Sequence, residues 1–244
     1  MPFRPKFFII ALKMKKNLLI LPAFNEETYL PEVLKSLRQV EEIDILVVDD
    51  GSTDETPRIL KEAKIDSLIR HETNQGYGKS LIDGFEFGRK NGYTNLVTMD
   101  CDAQHEPEYI PAILKELKDF DIVSGSRYLP GSDHISRPPE DRAEINRAVT
   151  KLLIEHTGYS ITDSFCGFKG YRVQALKKLR LTECGYGLPL QLWIQAKRAG
   201  LSVEEIPVPL IYKDEGRDFK RTFESKEDRL RYYLQVMEKE MKNG

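Results

Sequence analysis

Cysteine is scarce in this chain: Cys101, Cys166 and Cys184 are an odd number with no Cys-x-x-Cys spacing. That excludes a disulfide framework and a cysteine zinc site, and it suits a reducing cytoplasm. Histidine is scarce too, and His105 and His134 have no second histidine at ligand spacing, so both read as surface residues. No apolar run approaches the ~18 residues needed to cross a bilayer. The apolar part of the N-terminal segment, 7–12, is too short for a signal sequence, lacks a small-residue cleavage site and is bracketed by positive charge. Residues 1–16 therefore read as a surface tail, with Met14 a candidate natural start because strand-like sequence begins just after it. Nor is there an excess of one charge: 37 Lys and Arg face 39 Asp and Glu, a net charge of −2, with no overall pull toward nucleic acid. Repeats, low-complexity linkers and composition breaks are all lacking, so 17–244 reads as one domain, and the 244-residue chain is large enough to bury a full core.

What the chain does have is alternation. Residues 17–24, "NLLILPAF", form a short apolar strand, and Leu30, Val33, Leu34 and Leu37 follow at helical spacing. A second strand, 43–48, runs into Asp49, Asp50, Gly51, Ser52, Thr53 and Asp54, a cluster suited to open a helix with Pro57 in its first turn. A third strand, 67–71, leads to "ETNQGYGKS" and a helix through Arg89. Beyond the fourth strand come a helix marked by Ile110, Ile113, Leu114 and Leu117, the strand "FDIVSGSRY", and a mobile loop over 129–142 rich in proline. The sequence predicts a helix over 143–156, a short strand and brief helix in "DSFCGFKGYRVQAL", and a helix stopped by Gly200. An edge strand, "LSVEEIPVPLIY", carries two prolines that cannot donate to a central ladder. A last amphipathic helix shows Leu230, Tyr233, Leu234, Met237 and Met241. Such alternation predicts a parallel, doubly wound sheet, whose ligands gather at the carboxyl ends of the strands.

The fourth strand organises the rest. The run 96–104, "LVTMDCDAQ", ends in Asp100, Asp102 and Gln104, which strand alternation would put on one side. Three oxygen-bearing side chains suit Mg²⁺ or Mn²⁺, which commonly keeps open positions for substrate phosphates. The plainer alternative is that these acids only cap the next helix. Polar loops at the other strand ends, 22–27, 49–54 and 76–79, converge with them.

Seven stretches in order, "LPAFNEE", "VVDDGSTDET", "NQGYGKS", "MDCDAQHEP", "GSRY", "DSFCGFKGYR" and "EEIPVPLIY", resemble the family 2 glycosyltransferases over residues 17–213. The resemblance is nearest to the branch of polyprenyl-phosphate (dolichol-phosphate) mannosyl- and glucosyltransferases. It implies a GT-A fold, a three-layer αβα sandwich with a mostly parallel central sheet. It implies metal-dependent transfer, with inversion, from a UDP- or GDP-sugar to a lipid phosphate or an envelope saccharide. By the same resemblance Pro22, Ala23, Asn25 and Glu27 line the base and ribose pocket, and Asp50 hydrogen-bonds the nucleobase or ribose. Lys79 lies near the nucleotide after a glycine loop that lets backbone approach it. Asp100, Asp102 and Gln104 hold the Mg²⁺ or Mn²⁺, Arg127 faces phosphates or acceptor, and Asp163 lies near the acceptor as a candidate base.

Each residue also has a structural reading. Asp54 caps a helix, Lys79 is a solvated helix residue, Arg127 pairs with a nearby acid, and Tyr232 and Tyr233 pack; Phe165 and Phe168 are core or pocket floor. Where the branch usually carries an Arg–Arg–Phe-like stretch and a Ser–Lys stretch, this chain has "SRPPEDRAEINR" and "KDEGRDFKRTF", whose Arg137, Arg142, Arg217 and Lys220 offer comparable charge. A sugar nucleotidyltransferase would carry a glycine-rich basic loop where "PAFNEE" is acidic, and a phosphohydrolase would carry its Asp-x-Asp after the first strand. A nucleotide-sugar binding protein without turnover is the non-enzymatic alternative. The expected place of action is the cytoplasm or the inner face of a membrane, by peripheral association.

Overall fold

A computed structural model describes residues 16–63, 65–213 and 223–243. The tail with Met14, and Arg217 and Lys220, lie outside the described residues. The chain alternates as β1 (Asn17–Ala23), α1 (Leu30–Leu37), β2 (Asp44–Asp49), α2 (Thr56–Ala63), β3 (Ser67–Arg70), α3 (Tyr77–Lys90) and β4 (Asn95–Thr98). It continues through α4 (Ile110–Glu116), β5 (Ile122–Ser126), α5 (Glu140–Thr157), β6 (Lys169–Arg172), α6 (Val173–Leu176), α7 (Leu188–Arg198), β7 (Val203–Pro207) and α8 (Lys226–Lys242).

The strands form one seven-stranded sheet in the order β3-β2-β1-β4-β6-β5-β7. All neighbours are parallel except β6, which runs antiparallel between β4 and β5. This is the GT-A type of α/β sandwich that the motifs imply. The apolar strands are buried on both faces. Leu18 and Ile20 pack into the layer with α3, α5, α7 and α8, while Leu19 and Leu21 face α1, α2 and α4. Because β1, β2 and β4 are parallel, their carboxyl ends lie at one edge, and the polar loops after Ala23, Asp49 and Thr98 meet there. β7 is an edge strand, as its prolines require.

Four local expectations differ. The β4 ladder stops at Thr98, and Ala103 has φ 56°, so Asp100, Asp102 and Gln104 are gathered by a turn and not by strand alternation. α5 begins earlier, at Glu140, with Glu140 and Asp141 at its positive end. The loop over 129–139 is pinned: Leu210 N–H donates to Asp133 O at 2.8 Å, and the Ile135 and Ser136 N–H groups donate to Leu210 O at 3.2 Å. α8 has the expected bounds but a rotated buried face of Arg229, Tyr233, Val236, Met237 and Glu240, leaving Leu234 40% exposed. Glu240 turns inward because Gln191 and Gln195 donate to it at 2.8 and 3.0 Å and Arg198 pairs with it at 3.1 Å.

α3 lies close on the sheet through its glycines. A Cβ on Gly84 would stand 2.5 Å from Ile20 Cγ2, on a stiff β-branched side chain of β1. On an open helix, alanine for glycine gains about 1 kcal/mol; here overpacking costs about 1–3 kcal/mol. Gly84→Ala should therefore lower the urea unfolding midpoint. A rise would mean that α3 sits farther from β1 than described.

Candidate active site

The loops after β1 and β2 are laced together. Asn25 N–H donates to Ser52 Oγ at 2.9 Å, Thr53 N–H to Asn25 Oδ1 at 2.9 Å, Glu26 N–H to Thr56 Oγ1 at 2.8 Å, and Glu55 N–H to Glu27 Oε2 at 2.9 Å. Asp54 caps α2 from Oδ1 (Thr56 N–H, 2.9 Å) and holds Glu27 N–H on Oδ2 at 3.1 Å, which keeps its carboxyl below the usual range despite its partial burial. Asn25 takes a left-handed φ of 56°, which asparagine tolerates. Asn25 and Glu27 thus fasten two loops into one wall. Pro22 and Ala23 end β1 beneath it, where Ala23 O accepts Asp50 N–H at 2.8 Å.

Asp50 is 3% exposed. It accepts Gln75 N–H and Gly76 N–H at 2.8 Å each, and His71 Nδ1 stands 2.6 Å from its Oδ1. His71 Nε2 is 2.9 Å from Asp83, whose other oxygen takes Lys79 Nζ at 2.5 Å. Two expectations change here. Both oxygens of Asp50 anchor the turn at 75–76. The glycines let the turn approach the protein's own backbone: a Cβ on Gly76 would lie 2.4 Å from Cys184 O, and one on Gly78 2.3 Å from Glu183 O. Lys79 sits at this turn, one-third exposed and paired with Asp83.

At the end of β4, Asp100 Oδ1 accepts Tyr77 Oη at 3.0 Å, and Oδ2 is 3.5 Å from His105 Nε2. A Cβ on Gly167 would fall 2.2 Å from Asp100 Oδ2, so this carboxylate needs a glycine behind it. Asp102 Oδ1 accepts Gln104 N–H at 3.1 Å and Oδ2 accepts Gln104 Nε2 at 2.8 Å. Burial raises the Asp102 carboxyl to about 6, and the Asp100 charge adds to it. Burial pushes Asp100 up as well, but His105, Tyr77 and Arg127 outweigh it and hold Asp100 below the ordinary value. Two carboxylates that repel each other at a solvent-reached turn are a donor set a hard divalent cation fits. Among the described residues no group of three His, Cys, Asp or Glu side chains could hold a metal ion. Asp100, Asp102 and Gln104 would hold a cation only together with oxygens from a ligand, and only with Gln104 released from Asp102 and its amide oxygen turned inward.

Arg127, at the end of β5, forks onto Asp163, with Nε 2.6 Å from Oδ2 and Nη2 3.0 Å from Oδ1. Asp163 Oδ1 also takes Asn146 Nδ2 at 2.8 Å and Phe165 N–H at 3.2 Å. Glu205 of β7 holds the preceding backbone, accepting Thr162 N–H at 2.7 Å and Asp163 N–H at 3.1 Å.

Residues 18–180 match the glycosyl transferase family 2 profile. The chain belongs to glycosyltransferase family 2. It is 34% identical over 208 residues to the undecaprenyl-phosphate mannosyltransferase of Micrococcus luteus, covering 82% of this chain and 85% of that one. It is 31% identical over 212 residues to the polyprenol monophosphomannose synthase of Mycolicibacterium smegmatis, covering 83% and 80%. In fold it is similar to glucosyl-3-phosphoglycerate synthase of Mycobacterium tuberculosis, crystallised with Mn²⁺, UDP-glucose and phosphoglyceric acid. That likeness has a TM-score of 0.72 at 20% identity and covers 98% of this chain and 85% of that one.

In this glycosyltransferase, Asp163 is engaged by Arg127 and Asn146. It is fully buried, and although burial would raise its carboxyl, Arg127 and then Asn146 bring it down to about 2. Its place is to brace Arg127. His105 is also not the surface residue its isolation in sequence suggests: it is 8% exposed, beside Asp100 and 5.4 Å from the Phe168 ring. Phe168 is core, whereas Phe165 packs 4.7 Å from Tyr233. The partners of Tyr77 and His71 arrive from other strand ends, so spacing does not reveal either residue; for Tyr77 the local signal is an aromatic residue between two glycines.

Because the Asp163 pKa is depressed in the folded chain, the pair's stabilisation is present above the ordinary value of 3.8 and lost as pH falls through about 2. The shift corresponds to on the order of 2 kcal/mol. Asp163→Asn should cost about 3–5 kcal/mol near neutrality, since it leaves a buried guanidinium uncompensated. Its stability gap from wild type, read by urea melts, should narrow as pH falls from about 4 toward 2. A gap independent of pH would contradict the pairing.

Proposed function

We propose that this glycosyltransferase moves a sugar, with inversion, from a UDP- or GDP-sugar to a polyprenyl phosphate, with Mg²⁺ or Mn²⁺ at Asp100, Asp102 and Gln104. The observation that carries it is the buried acid pair at the end of β4, at the same sheet edge as the laced wall of Asn25 and Glu27 above Pro22 and Ala23, and joined through Tyr77 to the turn anchored by Asp50 and followed by Lys79. When bound there, a divalent cation would offset the charge that grows on the departing nucleoside diphosphate, commonly the largest catalytic contribution. Arg127, fixed by Asp163, adds positive charge felt by both Asp100 and Asp102.

The state of Asp163 bears on the acceptor. A hydroxyl acceptor needs a base within hydrogen-bond reach. With Asp163 locked to Arg127 and Asp102 committed to the cation, neither serves. A phosphate acceptor is already ionised and needs none, which agrees with the lipid phosphates in the names of both relatives. Among the described residues no helix is long and apolar enough to cross a membrane. Peripheral contact with the cytoplasmic face of a membrane is therefore the proposed setting.

The test is sugar transfer from UDP- and GDP-sugars to a short-chain polyprenyl phosphate, with Mn²⁺ or Mg²⁺. Asp102→Ala should keep the fold and lose on the order of 10²–10³-fold in turnover. Retention of most activity, or transfer to saccharide hydroxyls in place of the phosphate, would overturn this reading.

A further inference from the structure

The contacts around Tyr77 go beyond those of a packing residue. Tyr77 opens α3 directly after Gly76, which has φ 106°, and its hydroxyl donates to Asp100 Oδ1 at 3.0 Å. Its ring stacks on Tyr186, with centroids 5.7 Å apart and planes at 16°. The turn that carries it is fixed three ways. Asp50 accepts the N–H groups of Gln75 and Gly76, Lys79 N–H donates to Cys184 O at 3.0 Å, and the glycines at 76 and 78 lie too close to the 183–185 backbone for any side chain. These contacts seat the turn against 183–185, and the stack and hydrogen bond together orient the ring and its hydroxyl.

On its other sides Asp100 meets Gly167, which offers no side chain, and His105 Nε2 at 3.5 Å, beyond a good hydrogen bond. Tyr77 therefore makes the shorter contact to this carboxylate and, with His105 on the other oxygen, sets where it points. Groups that hydrogen-bond a ligating carboxylate set its orientation and tune its affinity for a cation.

We propose that Tyr77 is a positioning residue for the cation site, holding Asp100 in the orientation that receives Mg²⁺ or Mn²⁺. Through Asp50 and the glycine turn it also ties the nucleoside wall to the acid pair. The proposal rests on Asp100 and Asp102 being cation ligands, and its test separates the two.

Mn²⁺ is titrated into the full chain with UDP, and in a second arm with GDP, following the electron paramagnetic resonance signal of free Mn²⁺. Wild type, Tyr77→Phe and Asp102→Ala are compared. Tyr77→Phe keeps the ring and its stack, so its thermal midpoint reports folding. It should raise the Mn²⁺ concentration for half-saturation by roughly 10–100-fold. In the transfer assay the half-saturating Mn²⁺ should rise likewise, with turnover at saturating Mn²⁺ falling by much less. If wild type and Asp102→Ala differ as expected but Tyr77→Phe binds Mn²⁺ like wild type, the positioning role is wrong while the site stands. A shift in the thermal midpoint alone would mean a purely structural tyrosine and overturns it equally. If wild type takes up no Mn²⁺ with either nucleotide, or Asp102→Ala binds as wild type does, the cation site itself fails and the proposal falls with it.

Discussion

The burial of two neighbouring carboxylates, Asp100 and Asp102, at one turn is the constraint from which the rest of this site follows. Burial at this turn disfavours charge on both and is the main cause of the raised carboxyl of Asp102, with the Asp100 charge adding to it. The surroundings compensate Asp100 in particular, through the Tyr77 hydroxyl, His105 and the more distant Arg127. Retaining both leaves a local excess of negative charge that a cation relieves.

The supporting contacts share one logic: buried anions are used as anchors. Asp50 gathers backbone N–H groups of the glycine turn, and Asp163 aims Arg127. Glu205, whose carboxyl is raised by burial, holds the backbone that presents Asp163. Each acid is paid for by hydrogen bonds from its own surroundings, as burial of charge requires. The half-buried acids at the end of β4 are the ones that keep some exposure.

Much of this was legible in the sequence. Apolar runs and helical spacing predict the alternation, the two prolines predict an edge position for β7, and the polar stretches fall at the strand ends where ligands gather in such sheets. The acid pair and the family resemblance point to the same loop. What was not legible depends on contacts between segments far apart in the chain. Asp50 meets Gly76, Arg127 meets Asp163, and Glu205 meets Thr162 only after the sheet has formed. Spacing likewise suggests a face of α8 that includes Leu234, but Arg198 and the two glutamines draw Glu240 inward and turn the helix. His105 reads as a surface residue for the same reason, since nothing in its neighbours announces that the ring packs against Phe168.

The central claim is that the acids at the end of β4 hold a divalent cation against a nucleoside diphosphate. Anomalous scattering from crystals grown with Mn²⁺ and UDP or GDP tests it most directly. The account predicts a manganese peak within coordination distance of the Asp100 and Asp102 carboxylates, with the diphosphate on its open side. A bound nucleotide with no such peak, or with the peak at other residues, would contradict it.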